Sequence, residues 1–135
     1  MLDAVRKIVL YPLALLAMFA VPQPAGAVAL GAIEVRSHLN EPFEARIALS
    51  GLKAGELDNL RVALAAESSF ERAGLKRSYL LTRLKFSTQA LSNGRAFIRV
   101  RSREAIREPG LSFIVEATSS GASFERRYDV LINLR

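Results

Sequence analysis

The sequence predicts an all-β fold, an antiparallel two-sheet sandwich of immunoglobulin-like type with about seven strands and one short helix. Past residue 30 the apolar side chains recur at every second position, the spacing of a strand with one buried face, far more than at helical spacing. The extended stretches fall at near-regular intervals and are divided by Gly, Pro and Asn turns, which is how a sandwich is written in sequence. The segments between them are too short to hold repeated crossover helices, which argues against a parallel α/β fold. A closed barrel is the alternative topology.

The chain opens differently. Arg6 and Lys7 precede an apolar run from Ile8 to Val21 that is broken only by Pro12, and Pro22-Gln23-Pro24 leads into Ala25-Gly26-Ala27-Val28-Ala29. This is the three-part plan of a secretory signal peptide, with an apolar run shorter than the roughly 20 residues that cross a bilayer. An uncleaved anchor is the competing reading. Two A-x-A frames, Ala25 to Ala27 and Ala27 to Ala29, offer cleavage sites. The second is preferred here, which gives a signal peptide over residues 1–29, one domain over residues 30–135 and a periplasmic product.

Ile33 and Val35 alternate with Glu34 and Arg36 as a first strand, and Asn40-Glu41-Pro42 turns the chain. Phe43, Ala45, Ile47 and Leu49 then face one way and Glu44 and Arg46 the other, the clearest alternation in the sequence. Gly51 to Gly55 reads as a loop, Glu56 to Leu60 as a helical turn, and Arg61 to Leu64 as a third strand. Glu67 to Ala73 is the short helix, with Ser68 and Ser69 as candidate N-caps and Gly74 as its stop. Leu80, Thr82, Leu84 and Phe86 are expected to form the fourth strand. Asn93-Gly94 signals a hairpin into the fifth, Ala96 to Ser102, with Ile98 and Val100 inward. Glu108-Pro109-Gly110 and Ser119-Ser120-Gly121 flank the sixth, built on Leu111, Phe113, Val115 and Ala117. Phe124 to Leu134 forms the last, with Tyr128, Val130 and Ile132 inward.

The chain holds 19 Lys and Arg against 13 Asp and Glu, and leaving out Arg6, Lys7 and Asp3 gives 17 against 12, a net charge of +5 on residues 30–135. Such an excess favours acidic partners, and export removes nucleic acid from among them. Cysteine is absent, so no disulfide framework or thiolate metal site is available and the apolar core must supply the stability.

Two long blocks, Ile33 to Ile47 (IEVRSHLNEPFEARI) and Ile98 to Glu116 (with Ile98, Val100, Ser102, Ile106-Arg107-Glu108-Pro109, Leu111 and Phe113-Ile114-Val115-Glu116), resemble the amino-terminal periplasmic domain of the FimV family, the polar hub and type IV pilus assembly proteins. Gly55 to Val62 and Phe70 to Leu75 match the same pattern in the right order. Most matched positions are core or turn residues and speak to fold. Members of this family continue into a peptidoglycan-binding LysM module, a transmembrane helix and an acidic cytoplasmic part, none of which follows Leu134-Arg135. The family's Trp-Pro-x-Gly turn is replaced by Thr118-Ser119-Ser120-Gly121. The resemblance implies a short copy of the amino-terminal domain, acting as a non-enzymatic module that binds envelope or pilus-assembly proteins. A sandwich binding carbohydrate or peptidoglycan is the alternative, and the absence of Trp counts against it.

No catalytic, cofactor or metal constellation assembles. His38 is the only histidine, too few ligands for a metal site. Asp58 and Asp129 are the only aspartates after the leader, and no serine sits in a nucleophile-elbow pattern. Glu104 and Glu108 could pair across a sugar, but Arg103 and Arg107 beside them favour solvated ion pairs. The candidate contact surface is Arg99, Arg101 and Arg103 with Arg95 and Phe97 on the same side, since arginine forks bind carboxylate and phosphate and an aromatic adds stacking area. An ordinary charged face that blocks sheet-to-sheet aggregation is the plainer account of the same stripe.

Overall fold

The computed structural model describes residues 28–53, 55–91, 93 and 95–134. The expected leader lies outside these residues apart from Val28 and Ala29, as does Gly94 of the expected hairpin turn. Seven strands, β1 (Ala29–Val35), β2 (Pro42–Ser50), β3 (Arg61–Leu64), β4 (Lys85–Ala90), β5 (Ala96–Ala105), β6 (Gly110–Ser119) and β7 (Ala122–Leu131), form a four-stranded sheet ordered β1-β2-β5-β4 and a three-stranded sheet ordered β3-β6-β7. Every pairing is antiparallel. Three helical turns are described: α1 (Glu56–Asn59), α2 (Glu67–Arg72) and α3 (Tyr79–Thr82).

Period-two alternation produces the core. Phe43, Ala45 and Ile47 of β2 and Ile98 and Val100 of β5 are buried from the four-stranded sheet, and Phe113, Val115 and Ala117 of β6 with Tyr128 and Val130 of β7 from the other. The Phe113 and Tyr128 rings meet at 5.9 Å between centroids, tilted by 35°. Truncating Phe43, Phe70 or Phe113, each essentially free of solvent, falls in the class of core deletions that cost about 3–5 kcal/mol.

The structure departs from the expected elements in three places. The first is the stretch read as the fourth strand, whose first part is the helical turn α3. Leu81 and Leu84, three apart, are both buried while Tyr79 is exposed, so the helical spacing in Tyr-Leu-Leu-Thr-Arg-Leu wins over the alternating one and β4 begins only at Lys85. The second is the start of α2. Ala66 stands at its N-cap, and Ser69 lies inside the helix, where its hydroxyl donates to Glu125 at 2.6 Å. The predicted stop is right: Leu75 N–H donates to Phe70 O at 2.8 Å and Gly74 N–H to Glu71 O at 3.1 Å, the paired bonds of a Schellman ending. The third is Ile114, which strand register puts on the outer face of the three-stranded sheet beside Ala65, yet both are buried. Helix α2 packs against β6 and, with Ser69 bonded to Glu125 on the same face, covers this side of the sheet.

Turns follow local chemistry. Ser120 and Gly121 both take positive φ, 50° and 80°, between the paired Ser119 and Ala122, which is a two-residue hairpin turn matched to strand twist. The β4–β5 hairpin is longer, closed by Leu91 N–H to Arg95 O at 2.7 Å.

Edge strand β1 is locked to β7. Its register slips by one residue between Leu30 and Ile33, so the buried side passes from Leu30 to Ile33 and Val35. At this bulge the Tyr128 hydroxyl donates to Gly31 O at 2.7 Å and Arg126 Nη1 to Leu30 O at 2.8 Å. Gly31 is required by contact, since a Cβ there would stand 2.9 Å from Ala48 O. Val28, just before β1, is 5% exposed and belongs to the core.

Burial pushes the Tyr128 phenol up to about 12, against a smaller opposing pull from Arg126. Its neutral form is therefore favoured by folding. That contribution is complete below about pH 10 and is lost as pH rises through about 12. Tyr128→Phe should cost about 1–2 kcal/mol in denaturant melts and remove this alkaline step from the stability profile. Gly31→Ala should cost about 1–3 kcal/mol by the same measurement, because the strands must part to admit the methyl.

Candidate functional site

The outer face of the four-stranded sheet carries the predicted stripe. Arg99 and Phe97 are half-buried, and Arg95, Arg101 and Arg103 are exposed. Strand pairing adds residues that parity alone did not connect to them. One cross-strand row runs Glu34, Arg46, Arg99, Ser87; the next runs Glu44, Arg101, Lys85; a third runs Ala48, Phe97, Gln89. Arg36 comes just after the end of β1, its backbone N–H donating to Glu44 O at 2.8 Å. The face thus holds Lys85 and the arginines at 36, 46, 95, 99, 101 and 103 against Glu34 and Glu44. That excess of five equals the net charge of residues 30–135, so on balance the rest of the domain is neutral.

The five predicted residues are not equivalent. Arg99 is held within the sheet, because its Nε and Nη2 both donate to Glu44 Oε1, at 2.8 and 2.5 Å. The hydrogen bond from Arg99 holds the Glu44 carboxyl below its usual range, burial pushing slightly back, with further help from the charges of Arg99, Arg101 and Arg46. The pairing therefore stabilises the fold above the ordinary glutamate range and is lost as pH falls through the depressed value. Arg101 stands opposite Lys85, with Arg103 beside them, around a surface cavity of about 410 Å³ that Ser87 and Phe86 also line. None of these three cations has a carboxylate within ion-pair distance among the described residues.

Arg46 is the residue that sequence reasoning missed. Its guanidinium carbon lies 4.5 Å from the centre of the Phe97 ring, a cation–π stack. Its Nε is buried with no acceptor, a deficit of about 1–3 kcal/mol for an unmet donor. The alternation already turned Arg46 outward; what could not be read was that β2 would lie beside β5, bringing it onto Phe97. Arg46, Phe97, Arg36, Arg95 and Leu91 border a second cavity of about 400 Å³ whose floor includes Ala32 and Ala48.

The other candidates are structural. His38 lies in the β1–β2 turn, where its backbone N–H donates to Glu41 Oε1 at 2.8 Å and its Nδ1 lies 3.3 Å from the same oxygen. Among the described residues no cluster of three or more His, Cys, Asp or Glu could hold a metal. Glu104 pairs with Arg83 at 3.3 Å, rather than with its neighbour Arg103. Asp129 accepts from the Ser112 hydroxyl and from Arg127, which together hold its carboxyl low. Asp58 is exposed on α1. No helix among the described residues is long and apolar enough to cross a membrane.

Residues 28–135 match the family model of the FimV N-terminal domain, an Ig-like domain. The motility hub protein FimV of Pseudomonas aeruginosa, in each of two strains, is 35% identical over 109 residues, which is 81% of this chain and 12% of that protein. The chain thus spans about an eighth of the curated relatives it matches. Among solved structures, the BIgI domain of beta protein from S. agalactiae bound to CEACAM1 aligns over 81% of this chain and 99% of that one, with a TM-score of 0.41 at 9% identity. By the extent of the family match, this chain belongs to the FimV N-terminal domain family.

Proposed function

We propose that this chain is a non-enzymatic interaction domain of the periplasm, and that an acidic partner in the envelope or motility machinery docks on the outer face of its four-stranded sheet. One observation carries this reading. Lys85 and Arg101 stand directly opposite each other on paired strands with no carboxylate between them, an arrangement that costs the free domain stability. A surface kept only for solubility has no need of such a pair, and a negative partner removes the repulsion on binding. The partner class, proteins of the motility apparatus, rests on the relationship to a motility hub protein.

A face is favoured over strand addition at β1. The Leu30 and Gly31 carbonyls of that edge are already occupied by Arg126 and Tyr128, which leaves an incoming strand fewer acceptors. Export by a cleaved leader belongs to the same proposal. Because Val28 is buried and Ala29 pairs with Ser50 in β1, cleavage after Ala27, which keeps both residues, suits the fold better than cleavage after Ala29. Intact-mass measurement of the periplasmic product should give Val28 as its first residue; a product starting at Leu30 would reject that site.

Lys85→Glu should raise stability by about 0.2–1 kcal/mol, by turning a repulsive cross-strand pair into an attractive one. The same variant should weaken partner capture after crosslinking in cells. Reversing both Arg101 and Arg103 to glutamate should abolish capture while circular dichroism stays that of the parent. Undiminished capture by the double variant would overturn the docking face.

A further inference from the structure

We infer that the β1-β2-β5 half of this face is a distinct carboxylate-reading site, whose ligand is an extended peptide segment bearing an aspartate or glutamate beside apolar side chains. The inference rests on the reading of the outer face as the contact surface and narrows it to a chemistry.

Arg46 is the centre of the site. Its guanidinium carbon lies over the Phe97 ring, 4.5 Å from the centroid, and its Nε is buried without an acceptor. The ring contact and the buried Nε hold the group in place, and its terminal nitrogens, which have no carboxylate within ion-pair distance among the described residues, are of the kind that binds a carboxylate through two parallel hydrogen bonds. Arg99, the neighbour directly opposite, is different: its Nε and Nη2 are already engaged by Glu44. Arg36 reaches Glu34 only at 3.6 Å with both side chains largely exposed. Arg95, across the groove, has no carboxylate within ion-pair distance among the described residues.

The lining decides the class of ligand. Ala48 and Leu91, the latter 43% exposed, give it apolar surface, and its one carboxylate residue, Glu34, faces Arg36 at 3.6 Å. The Phe97 face on which a sugar could stack is covered by Arg46. A glycan is thereby disfavoured. A bare phosphate gains nothing from an apolar floor and is better matched by the cluster of Lys85, Arg101 and Arg103. A peptide that alternates acidic and apolar side chains satisfies both parts of a groove of about 400 Å³.

The test uses the purified protein and a fluorescently labelled nine-residue peptide alternating glutamate and valine, read by anisotropy. Its glutamine-for-glutamate counterpart and inorganic phosphate serve as competitors. The acidic peptide should bind and the glutamine peptide should compete at least about tenfold more weakly. Arg46→Lys keeps the charge and loses the planar fork; it should also weaken binding about tenfold. Lys76→Glu, exposed in the loop between α2 and α3 and outside both cavities of this face, should change it by less than about threefold. Equal binding by Arg46→Lys and the parent, or equal competition by the glutamine peptide or by phosphate, would overturn the site. If Lys76→Glu and Arg46→Lys weaken binding alike, attraction is diffuse and the site is rejected, and the docking face is judged by partner capture. If the peptide fails to bind at all, the site is rejected and the docking face is judged by partner capture alone.

Discussion

The register between β2 and β5 governs both halves of this molecule. Ala45 opposite Val100 and Ile47 opposite Ile98 are all fully buried, and a slip of one residue would turn the apolar side chains of the strand that shifts to water. The same register, read on the other side of the sheet, sets Arg46 opposite Arg99, Glu44 opposite Arg101 and Ala48 opposite Phe97. The hydrophobic effect therefore chooses a charge pattern that electrostatics alone would not choose. Arg46 and Arg99 face each other across these strands because the oil beneath them allows no other alignment.

How much could be read in advance follows from which forces act locally. The inward and outward sides of β2 and β5 are legible because burial has a period of two and no bulge interrupts the central residues. Seven strands and an Ig-like sandwich follow from that alternation and its turns. Strand neighbours are another matter. The contact of Arg99 with Glu44 joins residues 55 apart in sequence, and the stack of Arg46 on Phe97 is similarly distant, so the stripe was visible while its chemistry was not. Leu80 to Leu84 misled because three leucines fit both periods, and only burial of Leu81 and Leu84 together decides between them. In β1 the alternation is broken at Gly31 and Ala32 by the bulge, whose cause lies in the close approach of Ala48. Ile114 could not be placed from parity, since what covers it is a helix from elsewhere in the chain.

Local irregularities are patched by side chains that look unremarkable in sequence. Where β5 gains residues opposite Pro42 and Glu44, the Ser102 hydroxyl accepts from Phe43 N–H at 2.8 Å and donates to Glu104 O at 2.7 Å. A buried serine thus stands in for a missing backbone partner. The β1 bulge is met by Arg126 and Tyr128 from the opposite sheet, which ties the sandwich shut on that side. Between these two irregularities the pairing of β2 with β5 runs without a shift from Glu44 to Leu49.

The like-charged Lys85–Arg101 pair carries a consequence for how ionic strength acts. Mobile ions screen exposed charges over about 10 Å at 0.1 M salt. For the free domain, added salt weakens a repulsion and so firms the fold; for a complex with an acidic partner, it weakens an attraction. Folding and association would thus respond to the same electrolyte with opposite signs, and the surroundings of the domain would tune its occupancy without altering its shape.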